Sequence, residues 1–285
     1  MKRIKIALNG LLFFLVLNIP CFAQRTTSTQ SFNQLRVNNV TISINNMSLT
    51  DAVGTNGQVF HTASFDIILN DHEATKTVLL ALQSAQASKA LVRGKESGAS
   101  GPAIYFITVN SNFAVTEEKT YTGITLEEMR LPDMNAAEQS GIKVSVKLNA
   151  ANVMVTAGGG KAAMNTTVRT ANIAASFFRV TMGSLPCSRI LKVGATAVKP
   201  MADQYQNFSI EMMGLDGAAW NQWFLSGAAG AKKEQGTIEL LGRDMKSVLY
   251  TIQLTDVEII SYTVTNNGSI ARATAGLRLK QVTLK

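Results

Sequence analysis

The sequence predicts a mainly β fold: two similar β-barrel or sandwich domains, each with one packed α-helix. Three observations point there. From Leu35 onward apolar residues mostly alternate with polar ones, rich in Val, Ile, Thr and Phe and broken by Gly and Asn, which is the pattern of half-buried strands. Each half of the chain contains one stretch where that period gives way to a helical one. Finally, Ile124, Leu126, Met129 and Leu131 recur at the spacing of Ile252, Leu254, Val257 and Ile259. In both sets the alternation skips one extra residue and then resumes. A one-residue slip reverses the buried face, so a β-bulge or sharp bend is expected at Glu128 and at Asp256. The same irregularity after the same strand, helix, strand order points to an internal duplication.

The elements follow in order. Lys2, Arg3 and Lys5 precede the apolar stretch Leu11 to Ile19, Pro20 breaks it, and Cys21-Phe22-Ala23 gives a small-x-small site. This predicts a signal peptide over residues 1–23, cleaved near Ala23, and a protein that is secreted, periplasmic or on the cell surface. Asn9, Asn18 and Pro20 interrupt the apolar run, which falls short of the roughly 20 residues a span needs. No later segment is long and apolar enough either, so no transmembrane anchor is expected. Cys21 would suit lipid attachment, but Pro20 and Asn18 are poor neighbours for it. Residues 24–36, rich in Ser, Thr and Gln, read as a flexible leader.

The first domain is placed at 37–155. Val40, Ile42 and Ile44 mark one strand, and Phe65, Ile67 and Leu69 another. Asp71 is positioned to cap a helix carrying Ala74, Val78, Ala81, Leu82 and Ala85 on one face. Strands resume at Ala103 to Val109, Thr120 to Met129 and Ile142 to Leu148. Residues 156–176 contain Gly158-Gly159-Gly160 and read as a Gly-rich linker. The second domain, 177–285, repeats the order: Phe178 to Met182, then Phe208 to Met212, then a helix capped by Asp216 with Trp220, Trp223 and Phe224 on one face. Strands follow at Gly236 to Leu241, Ser247 to Leu254 and Val257 to Val264, then the turn Asn266-Asn267-Gly268 and a last strand through Leu277, Leu279 and Val282.

Charge and cysteine usage narrow the function classes. The chain carries +8 overall; without residues 1–23, 24 basic residues face 19 acidic ones, a net +5. No basic run exceeds Lys232-Lys233, and nucleic-acid binding needs a stripe of phosphate-neutralising residues, so no nucleic-acid partner is expected. After cleavage Cys187 is the sole cysteine. It lies in the apolar stretch Met182 to Leu191 and reads as a small buried hydrophobe.

No catalytic, cofactor-binding or metal-binding residue is assigned. His61 and His72 are the two histidines, and Asp71-His72-Glu73 puts neighbours on different helix faces rather than around one ion. Gly160-Lys161 lacks the other residues of a phosphate loop, with Val155 and Ala162 in their places. Ser184 and Ser100 lack the paired glycines of a nucleophile elbow. Glu117-Glu118 and Glu127-Glu128 are paired acids, but adjacent residues on a strand face opposite ways. Trp220, Trp223 and Phe224 suit a buried helix face better than a sugar platform. Sequons occur at Asn39, Asn46, Asn165, Asn207 and Asn267, and they matter only in a host that glycosylates them.

The C-terminal half resembles the bacteriophage tail-tube and type VI secretion tube family (haemolysin-coregulated protein, Hcp-like). The residues that carry the resemblance are Phe208 to Met213, the helix Asp216 to Gly227, the strand Thr237 to Leu241, and the closing run YTIQLTDVEIISYTVTNNGSIARATAGLRLKQVTLK from Tyr250. The match is good over 177–285 and looser over 37–155. It implies a β-barrel or sandwich with one helix on its side and no catalysis or cofactor. It also implies homo-oligomeric rings made by edge-to-edge strand pairing. Family rings are usually sixfold, so a tandem chain would form a pseudo-sixfold ring as a trimer; a signal-bearing tandem version would be an exported variant. A carbohydrate- or matrix-binding β-sandwich using a loop such as Arg93 to Pro102 is the competing expectation. A hydrolase built on the carboxylate pairs is a third.

Overall fold

The computed structural model describes residues 31–53, 59–90, 103–162, 171–199, 205–227, 233–267 and 270–285. The signal segment and the whole of Arg93 to Pro102, Ser100 included, lie outside them, as does Asn165. The fold is mainly β, with two sheets and two helices among the described residues.

The first half contains β1 (Phe32–Val37), β2 (Val40–Val53), β3 (Val59–Ile68), α1 (Glu73–Ala90), β4 (Ile104–Val109), β5 (Val115–Thr122), β6 (Thr125–Leu131), β7 (Met134–Asn135), β8 (Lys143–Ala150) and β9 (Asn152–Ala157). The second contains β10 (Phe178–Met182), β11 (Ile190–Val193), β12 (Thr196–Val198), β13 (Gln206–Met213), α2 (Gly214–Gly227), β14 (Glu234–Leu241), β15 (Val248–Asn267), β16 (Ile270–Leu279) and β17 (Gln281–Leu284). One sheet runs β12-β6-β8-β3-β2-β1-β4-β5-β9, and the other β10-β14-β15-β16-β13-β11-β7 with β17 added to β15. β5 and β6 are two parts of one bent stretch of chain. Because they pair at opposite ends of the run β8-β3-β2-β1-β4, the first sheet curls nearly closed. Gly123 makes the bend at φ +64, where a Cβ would press on that of Ala151.

The two halves share one pairing plan. β4–β5–β6 in the first half corresponds to β14–β15 in the second, β6–β8–β3 corresponds to β15–β16–β13, and a helix follows β3 and β13 alike. β1 flanks β4 as β10 flanks β14. β9 and β17 each follow the preceding strand after one residue and pair with β5 and β15, respectively. The bulge is present in both. Register shifts between Leu126 and Glu128 on β6, and β15 carries an extra residue between Leu254 and Val257, with Asp256 at φ 53. All eight repeated apolar residues are buried.

Several details differ from the expectations above. β1 starts at Phe32, inside the stretch read as a leader, and Leu35 is fully buried. Its apolar residues are spaced irregularly around Asn33 and Gln34, so alternation hid it; Asn38 and Asn39, both at positive φ, then turn it tightly into β2. The Gly-rich stretch continues β9 and lies against β5: Gly158 donates to the Thr116 carbonyl at 3.1 Å. A Cβ on Gly158 would overlap the Val115 carbonyl oxygen, so this glycine serves close approach rather than freedom. Ile173 is buried and bonded to both Leu69 and Ile142. Asp71 does not cap α1. Asn70 accepts from the His72 N–H and the Thr75 hydroxyl, and His72 Nδ1 accepts from the Ala74 N–H, while Asp71 accepts from the Ala171 N–H. Asp216 sits inside α2, not before it. It is 4 % exposed and ties the approach to β11 through the Arg189 N–H at 3.0 Å.

The halves also exchange strands. β12 pairs with β6, and β7 pairs with β11. Asp133 reinforces the crossing, accepting from the Ala195 N–H at 2.6 Å and pairing with Lys192 at 2.6 Å. One continuous apolar core runs through both halves.

Candidate assembly surface

Sheet edges present unpaired N–H and C=O groups, and proteins commonly blunt them with short strands, charge, proline or cover. Three of the four sheet ends follow that rule. β7 has two residues, and β12 has three, all buried. β10 carries exposed Arg179, paired with Glu239 at 2.6 Å. β9 does not. Its six residues, Asn-Val-Met-Val-Thr-Ala, include no charge and no proline. Met154 is 61 % and Val155 60 % exposed, on opposite faces of the strand. Among the described residues no strand pairs with its outer side.

The register fixes which groups face outward. Gly158 bonds Thr116, and β9 pairs with β5 at Thr156–Glu118, Met154–Thr120 and Asn152–Thr122. Alternation of bonded and non-bonded pairs then turns the N–H and C=O groups of Val153, Val155 and Ala157 away from β5. Behind β9, Tyr121 anchors β5 with its ring 5.0 Å from that of Phe106, and burial pushes its hydroxyl pKa up to about 12. The neighbouring acids are neutralised within the sheet: Glu118 by Arg36 at 2.9 Å and Glu117 by Lys119 at 3.0 Å.

β17 is the counterpart of β9, and its edge is covered. Lys285 and Thr251 exchange backbone hydrogen bonds at 3.0 and 2.8 Å, which turns the polar groups of Leu284 outward. The Gln83 carboxamide on α1 takes both: its Oε1 accepts from the Leu284 N–H at 2.8 Å and its Nε2 donates to the Leu284 carbonyl at 3.1 Å. One side chain thus does the job of a neighbouring strand.

The other residues singled out from sequence are scattered. His61 Nδ1 lies 2.7 Å from Asp51 Oδ1, and His72 belongs to the helix cap. Glu127 pairs with Lys147 at 2.7 Å and Glu128 with Lys199 at 3.7 Å, so the acids at the bulge point to different partners. Trp220 and Trp223 are buried edge-to-face at 5.8 Å, and Trp220 Nε1 donates to the Pro186 carbonyl. Phe224 packs partly buried against the same core. Cys187 is partly buried, and burial raises its thiol pKa to about 11. Ser184 lies in the turn after β10. No helix among the described residues is long and apolar enough to cross a membrane. Sequence reasoning missed β9, ending the first domain at residue 155, inside that strand. The available signal was the repeat itself, since β9 follows β8 as β17 follows β16.

No known protein family matches the chain, and no curated protein matches it.

Proposed function

We propose that this chain is an exported, non-enzymatic structural protein that self-associates through its strand edges into rings or tubes, in the manner of tail-tube and Hcp-like proteins. The observation that supports this reading is β9, a six-residue, uncharged, proline-free strand with an open outer edge and exposed Met154 and Val155. An edge of that kind favours pairing with another chain. The shared pairing plan of the two halves adds the symmetry: two similarly paired β units per chain would let three chains form a pseudo-sixfold ring.

Light scattering on the purified protein at high micromolar concentration tests this reading. Discrete species several times the mass of one chain are expected, and negative-stain images of them should show rings or stacked rings. A monomer at every concentration would reject it.

A further inference from the structure

Within one chain, the first-half helix already meets a second-half edge strand: Gln83 of α1 seals Leu284 of β17. The second half supplies a second helix, α2, and the first half a second edge, β9; among the described residues no strand pairs with the outer side of β9 and the outer side of α2 is exposed. The helices can be brought into register by their buried faces. Val78, Leu79, Leu82 and Ala85 on α1 match Asp216, Gly217, Trp220 and Trp223 on α2 residue for residue. That register puts Asn221 at the position of Gln83, a carboxamide in each helix with a donor and an acceptor to offer a strand edge.

The rest of α2's outer side is unlike an ordinary surface helix. Leu215, Ala218, Gln222, Leu225 and Ser226 are exposed, Leu215 by 76 % and Leu225 by 64 %, and none is charged. The helix's sole charged residue, Asp216, is buried. A solvent-facing helix side normally carries charge. An uncharged helix face and an uncharged strand edge, both with large exposed apolar side chains, are therefore present on every copy.

We propose that the α2 face of one copy seats on the β9 edge of a second copy, repeating between chains the α1–β17 contact made within each chain. Asn221 would meet the outward backbone groups of β9, with Leu215 and Leu225 against Met154 and Val155. The contact is head-to-tail: each copy gives a helix face to one neighbour and an edge to the other, which closes into a ring or runs on as a filament. This deepens the assembly reading and rests on it.

Two variants decide the matter by sedimentation velocity on the purified full chain. Val155→Lys disables the edge and Leu225→Lys the helix face; both sites are exposed, and far-UV circular dichroism checks the fold. Each variant alone is expected to sediment as a monomer. An equimolar mixture is expected to form a species of twice the chain mass and nothing larger, because one intact face then meets one intact edge. If Leu225→Lys assembles like the wild type while Val155→Lys does not, edges pair with edges, and the helix contact is wrong although edge assembly stands. If the mixture stays monomeric, or if both variants assemble like the wild type, the contact is overturned. A wild type that never assembles removes both readings.

Discussion

Gln83 offers the sharpest test of how the two halves are joined. Its carboxamide satisfies the N–H and the C=O of Leu284, a residue only 2 % exposed. Gln83→Leu keeps most of the side-chain volume, excludes water, and leaves both backbone groups without a partner. An orphaned buried polar group costs about 1–3 kcal/mol, so the pair should cost about 2–6 kcal/mol. At this chain length that corresponds to a fall in Tm of roughly 5–15 °C. Gln83→Ala opens space for water to replace the amide and should cost less, about 1–2 kcal/mol. Gln83→Glu keeps the acceptor but sets a carboxylate against the Leu284 carbonyl. Its carboxyl pKa should be raised in the folded state, so this variant should gain stability relative to wild type as pH falls and the carboxyl regains a proton to donate. Urea titrations followed by tryptophan fluorescence measure all three. A Gln83→Leu variant as stable as the wild type, or more stable than Gln83→Ala, would refute the reasoning.

Other expectations follow from the same geometry. Trp220→Ala should cost about 3–5 kcal/mol by denaturant unfolding, because a fully buried indole leaves a large cavity. Asp133 has its pKa lowered, first by the hydrogen bond from Lys192, so it contributes stability above its unfolded pKa and loses it as pH falls through the lower folded value. Asp133→Asn should therefore lower unfolding stability at neutral pH by a small amount, about 0.5 kcal/mol for a carboxylate nearly half exposed, and the difference should vanish in strong acid. With its pKa raised to about 11, Cys187 should react with a maleimide at pH 8 roughly a hundredfold more slowly in the folded protein than after unfolding. Equal rates would place the thiol in open solvent.

Much of the architecture was legible because burial imposes period two on strands. The doubled Ile-x-Leu-x-x motif was the most informative signal, since a bulge moves every later side chain and cannot hide in the pattern. The clusters around Val78 and Trp220 gave both helices for the same reason. What escaped was set by contacts distant in sequence. β1 needs β2 and β4 on either side to bury Leu35 despite its irregular spacing. Gly158 looked like free chain because composition does not report that a carbonyl lies where its Cβ would be. Asp71 and Asp216 have the chemistry of caps, but their carboxylates were taken by backbone N–H groups distant in sequence, those of Ala171 and Arg189. The open edge of β9 was invisible for a related reason. Exposure is decided by which strand lies alongside, and the exchange of β7 and β12 between the halves has no local signature.

Hydrogen–deuterium exchange across a concentration series addresses the open edge directly. The outward amides of Val153, Val155 and Ala157 should exchange freely in dilute protein and become protected as assembly proceeds, while those of Asn152, Met154 and Thr156 stay protected by β5 throughout. Unchanged exchange at Val153, Val155 and Ala157 in a sample that has visibly assembled would place the contact elsewhere on the molecule.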